Sequence, residues 1–97
     1  MIRSFRDRGT EDVFDGADSA AARKQCPKDL WPIARRRMDQ INRVTNLQDL
    51  MVPPGNRLER LSRDRKGQLS VRINDQYRIC FRWENRDAYA VEITDYH

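Results

Sequence analysis

A chain with one histidine and two cysteines has little from which to build a metal site. Cys26 and Cys80 lie far apart, and neither has a second ligand at metal-binding spacing, which argues against a four-ligand zinc site. They read instead as reduced thiols of a cytoplasmic protein, Cys80 within a strand and Cys26 in a loop. No apolar run is long enough to span a bilayer, and no apolar signal segment follows Met1, so no membrane partner is expected. Hydrophobic residues are scarce, 38% against 35% charged. A chain of 97 residues with that composition builds one small domain over residues 1–97, not two.

The net charge of +4 is modest but uneven. Between positions 57 and 82 stand Arg57, Arg60, Arg63, Arg65, Lys66, Arg72, Arg78 and Arg82, against Glu59, Asp64 and Asp75. Eight basic against three acidic side chains leave a surplus of five there, and a deficit of one over the remainder. Arginine forms bidentate contacts with phosphate, so the surplus points to a polyanion, most simply RNA or DNA. A solvated basic face is the plainer alternative.

Local signals order the elements. Residues 1–5, apolar at Ile2 and Phe5, suit an edge strand. Thr10 followed by Glu11 and Asp12 predicts an N-cap and an acidic first turn, with a stop near Gly16. The alanine-rich residues 19–25 are helical or loose, and Pro27 breaks the chain. Residues 6–28 hold no catalytic motif and serve as a partner surface or a flexible loop. Asp29 is the expected cap of the clearest helix, with Pro32 in its first turn. Leu30, Ile33, Ala34, Met38, Ile41 and Val44 form its apolar stripe, which leaves the run Arg35, Arg36, Arg37 on a solvated face. Pro53, Pro54, Gly55 and Asn56 signal a loop. Leu58 and Leu61 suit a short or bulged strand.

Beyond them the period is two. Leu69, Val71 and Ile73 alternate with polar residues; Tyr77, Ile79, Phe81 and Trp83 alternate with Arg78, Cys80 and Arg82; Tyr89, Val91 and Ile93 alternate with Ala90, Glu92 and Thr94. This predicts an antiparallel meander with one buried face. Arg72, Arg78 and Arg82 would project from the other face with Glu92, Thr94 and Tyr96, where Glu92 neutralises one arginine. The last strand runs into Asp95, Tyr96 and His97: a carboxylate, a phenol and the lone imidazole. Three proton-transfer groups in a row suit acid–base chemistry, and histidine is its commonest agent near neutral pH.

The loop Pro53-Pro54-Gly55-Asn56-Arg57-Leu58, the segment from Gly67 through Asn74-Asp75-Gln76-Tyr77-Arg78 to Phe81, and the ending Asp95-Tyr96-His97 together resemble HigB-type toxins of the RelE/ParE superfamily. The resemblance runs from Ile2 to His97. It implies an α+β, RelE-like microbial ribonuclease-type fold, with N-terminal helices packed on one face of a small, mainly antiparallel twisted sheet. It implies a ribosome-dependent endoribonuclease that cuts mRNA in the A site of the small subunit of the 70S ribosome, without metal or cofactor. A HigA-like helix-turn-helix antitoxin would neutralise it, and operator DNA would be reached only through that complex. Arg78 matches the family's strand arginine, and Asp95, Tyr96 and His97 match its C-terminal catalytic part. Some members carry a histidine and a lysine where this chain has Glu59 and Ser62, so the resemblance assigns no base.

On that reading Arg78 holds the phosphate, His97 is the acid, and Asp95 orients it or acts as base. Tyr96 stacks on a base or positions the ribose. Arg57, Arg60, Arg63, Arg65 and Lys66, with Arg72 and Arg82, bind RNA and ribosome through their charge. Two alternatives share the fold: a ParE-like gyrase inhibitor, which needs no terminal acid–base cluster, and a degenerate toxin that only binds RNA or a partner.

Overall fold

A computed structural model describes residues 1–96; His97 lies outside the described residues. Three helices, α1 (Arg8–Asp15), α2 (Ala20–Gln25) and α3 (Trp31–Arg43), precede four strands. These are β1 (Glu59–Arg60), β2 (Leu69–Arg72), β3 (Tyr77–Glu84) and β4 (Asp87–Asp95). The strands form an antiparallel sheet in chain order, with Leu69 opposite Phe81, Val71 opposite Ile79 and Ile79 opposite Ile93. The fold is α+β, as expected, and the meander is where the alternation puts it.

The α3 stripe closes one face of the sheet. Trp31, Ala34, Met38 and Ile41 are buried against Val71, Ile79, Phe81, Val91 and Ile93. The helix does not begin as expected. Residues Lys28–Leu30 form a 3-10 turn, Leu30 is the cap residue, and Asp29 makes no capping bond. Pro32 still falls in the first turn, where its missing N–H has no helical partner to lose.

Residues 6–28 form a helical hairpin packed on the edge of β4, which corrects the flexible alternative. The cap of α1 is Asp7, whose side chain accepts from the Thr10 amide at 2.7 Å. Thr10 lies inside the helix, fully buried, and its hydroxyl accepts from the Ile93 amide at 3.0 Å. An amide of a sheet edge buried under a helix needs such a partner. Ser19 caps α2 through the Ala22 amide and donates to Asp12 at 2.6 Å. The outer edge of β4 is also met by residues 1–6 through parallel bridges, Ile2 to Ala88 and Phe5 to Val91.

A bulge re-aims the end of the sheet. Cys80 pairs with Glu92, but Arg82 pairs with Tyr89, so Phe81 faces an extra residue. Ala90 takes φ 53° to make the step. The slip moves Tyr89 to the Arg82 side and gives its expected core place to Ala88, which is fully buried.

Candidate functional site

The face of the sheet away from α3 is not the open arginine surface that alternation predicts. Ser70 and Cys80 are fully buried there, and Arg78 is 8% exposed. The segment between Asn56 and β2 folds over them. Arg57 turns the chain in the left-handed region at φ 45°, and its carbonyl accepts from Nη2 of Arg78 at 2.6 Å. Nε of Arg78 donates to the Ser70 hydroxyl at 2.7 Å. Glu59 on β1 is the acid paired with Arg78, at 3.7 Å, beyond hydrogen-bond length and with its own side chain 55% exposed.

The guanidinium is thus oriented by neutral groups and only loosely neutralised. Two of its five N–H donors are used in hydrogen bonds among the described residues. A cation taken out of water without a close counter-ion favours an incoming anion. A planar fork held in place suits a phosphate in particular.

Beside it, Arg65 crosses the sheet to Glu92, with Nη1 to Oε1 at 3.0 Å. Burial opposes the Arg65 charge most strongly, but the Glu92 hydrogen bond and the charges of Cys80, Glu92 and Tyr96 together outweigh it and the pKa is raised. Glu92 therefore neutralises Arg65, and at longer range Arg6, instead of Arg72, Arg78 or Arg82. Cys80 lies beneath this pair, and its thiol pKa is pushed up by burial. Cys26 is pushed up to about 11 by burial and by Asp29. Both cysteines are free.

Tyr96 is 40% exposed and closes an open cleft of about 370 Å³ with Ser62, Arg63, Asp64 and Arg65. Asp95 pairs with Tyr77 in the sheet and accepts from the Gln76 side chain at 3.0 Å, while the Tyr96 amide donates to the Gln76 carbonyl at 2.7 Å. Thr94 is the register partner of Arg78, so Asp95 and Tyr96 follow directly along the chain beside it, while the guanidinium itself leans to the other side, toward Ser70 and Arg57.

The other sequence-derived residues separate by position. Arg57, Arg63 and Lys66 are exposed around the site. Arg72 is the register partner of Arg78 on β2. Arg60 instead lines an apolar groove with Leu47, Met51, Leu58 and Leu69. Arg82 is exposed further along β3, opposite Tyr89. The expected role of His97 falls outside the described residues. Sequence reasoning missed Ser70 and the Arg57 carbonyl as the groups that hold Arg78. Ser70 alternates with the apolar residues of β2, but nothing local marks a carbonyl as a ligand. Among the described residues, no three His, Cys, Asp or Glu side chains converge as a metal site would require.

The fold has a counterpart among solved structures. The whole chain superposes on YoeB in the YoeB–YefM complex from Staphylococcus aureus with a TM-score of 0.53, covering 100% of this chain and 98% of that one at 13% identity. That likeness concerns the fold alone. In sequence, the chain is 31% identical over 101 residues to the Endoribonuclease HigB of Proteus vulgaris, with both chains covered in full. It is 30% identical over 83 residues to Toxin HigB-1 of Vibrio cholerae, covering 86% of this chain and 84% of that protein. The model of the HigB-like toxins matches residues 3–97, and the chain belongs to this family of RelE-like toxins of type II toxin–antitoxin systems.

Proposed function

We propose that this toxin is a ribosome-dependent endoribonuclease that cuts mRNA in the ribosomal A site and so stops translation. The observation that carries the reading is Arg78, a shielded guanidinium held by Ser70 and Arg57 and loosely neutralised by Glu59. The relative from Proteus vulgaris, an endoribonuclease by name, supports the same chemistry.

RNA cleavage of this kind joins the ribose 2′-oxygen to phosphorus and expels the 5′-oxygen. A base takes the 2′ proton, a cation meets the charge growing on the phosphoryl oxygens, and an acid protonates the leaving oxygen. Arg78 supplies the cation. His97 is the acid, and Asp95 orients it or acts as base. Glu59, the acid paired with Arg78, is the second candidate base. Tyr96, exposed in the arginine-lined cleft, stacks on a base or positions the ribose. These steps use side chains alone and need no cofactor or metal. Arg57, Arg63, Lys66, Arg72 and Arg82 hold RNA and ribosome through charge; Arg65 does so less, since Glu92 already occupies it.

The partner on this reading is a HigA-like helix-turn-helix antitoxin, with operator DNA bound through the complex. The family's place in toxin–antitoxin systems supports an antitoxin, as does a fold neighbour solved as a toxin–antitoxin complex. The setting is the cytoplasm; no helix among the described residues is long and apolar enough to cross a membrane.

The test is controlled expression of the wild type, of Arg78→Ala and of a chain ending at Tyr96, with growth and mRNA 5′ ends followed together. New ends within translated codons for the wild type, and none for either variant, are expected. Growth arrest by all three chains without new ends would defeat the ribonuclease reading.

A further inference from the structure

The run Arg35, Arg36, Arg37 in α3 reads from sequence as a solvated helix face, but the tertiary structure takes part of it elsewhere. Arg37 reaches the end of β2, where its Nε donates to the Arg72 carbonyl at 3.2 Å. Arg72 is in turn the register partner of Arg78. A helix and a sheet thus bring arginines 35 positions apart to one corner, next to the guanidinium assigned to the phosphate.

That corner is poorly neutralised. Arg72 pairs with Asp75, whose carboxylate is fully exposed and screened by water. Neither Arg36 nor Arg37 forms an ion pair among the described residues. Burial, and then the charges of Arg36 and Arg72, hold the Arg37 pKa below the usual guanidinium value. Like charges that share a single solvent-screened acid attract a polyanion. Register partners on antiparallel strands stand about 5 Å apart at Cα, so Arg72 and Arg78 lie within reach of neighbouring nucleotides.

We propose that Arg37 and Arg72 form a second anchor for single-stranded RNA, which takes up backbone phosphates next to the one held by Arg78. The proposal rests on the reading of Arg78 as ligand of the reacting phosphate. Its continuity with that residue selects the mRNA strand itself as occupant, in preference to ribosomal RNA.

Binding of a labelled, unstructured RNA oligonucleotide, blocked at its 2′-oxygens against cleavage, tests the anchor through its salt dependence. On a single strand, each phosphate that the protein no longer neutralises lowers the slope of log affinity against log salt by about 0.7. The double variant Arg37→Ala/Arg72→Ala is expected to be shallower by about 1.4 and to bind several-fold more weakly at low salt. Arg72→Ala alone, which keeps the main-chain carbonyl that Arg37 bonds, is expected to lower the slope by about 0.7. The charge-matched control Lys24→Ala/Arg43→Ala is expected to keep the wild-type slope. Wild-type slopes in both variants overturn the anchor, and leave the ribonuclease reading intact if the wild type still cuts mRNA. Reduced slopes in both variants, when the wild type cuts nothing, retain the anchor and remove the ribonuclease. Weaker binding of the double variant to vacant ribosomes, with unchanged binding of the oligonucleotide, assigns the corner to ribosomal RNA and defeats the proposal.

Discussion

On the helix side of the sheet, Val71, Ile79, Phe81, Val91 and Ile93 meet the apolar stripe of α3 and exclude water by packing. On the opposite side Ser70, Arg78 and Cys80 are nearly as deeply covered, but by a loop rich in arginine. The first face is closed by groups that need no partner. The second is closed by groups that each need one, and it leaves a guanidinium short of an anion. On the proposed function, burial alone therefore does not separate structural from functional positions in this molecule. What separates them is whether the buried group is electrostatically complete.

Substitutions that break one face and spare the other sharpen the comparison. The largest expected effect on stability is Phe81→Ala, at the fully buried centre of the helix side. It is expected to cost about 3–5 kcal/mol in denaturant unfolding. Arg78→Ala should reverse the pattern. Cleavage of ribosome-bound mRNA is expected to fall at least about 100-fold. Stability should fall by only about 1–3 kcal/mol, because the Ser70 hydroxyl and Arg57 carbonyl lose their donor. If Arg78→Ala unfolds the protein as readily as Phe81→Ala does, the two faces are not different in kind.

Gly9→Ala probes the packing of α1 on α2. An added Cβ would lie 2.5 Å from both the Ala21 carbonyl oxygen and Oε1 of Gln25. The Gln25 side chain can move but the Ala21 backbone cannot, so a loss of about 1–3 kcal/mol is expected by thermal unfolding. Ser19→Ala removes the α2 cap, with an expected loss of about 1 kcal/mol near neutral pH. Its pH dependence carries a sign. The Ser19 hydrogen bond, against burial and with help from Arg8, holds the Asp12 pKa below its ordinary value of 3.8. A lowered carboxylate pKa stabilises the fold above the unfolded value and loses that contribution as pH falls through the folded one. Wild-type stability should therefore drop below about pH 4, and Ser19→Ala should show a shallower acid limb. The smallest expected change is Ala90→Gly at the bulge. It relieves a left-handed alanine and is expected to gain at most about 1 kcal/mol, measured by the same unfolding.

Much of the frame was legible because it depends on local periodicity. The stripe of α3 and the alternation of β2 and β3 each report a side chain's place relative to its own element, which is set by backbone geometry. The Tyr89 assignment failed because a period of two holds only while the register holds, and the bulge at Ala90 resets it. The caps failed more narrowly. Thr10 and Asp29 are good capping residues, but Asp7 begins α1 almost a full turn earlier, and a 3-10 turn carries Asp29 past the start of α3.

By itself the sequence determined an α+β domain with a three-strand meander, a basic surplus between positions 57 and 82, and a carboxylate, a phenol and an imidazole at the end of the last strand. Only the tertiary structure decided which arginines of that surplus are shielded, paired or open. Arg78 went under the loop, Arg65 went to Glu92, and Arg37 came from the helix to join Arg72. The physical reason is that an arginine reaches far from its own backbone, so its environment is set by segments remote in sequence. A charge can be counted from the chain, but its desolvation and its counter-ion depend on the folded neighbours.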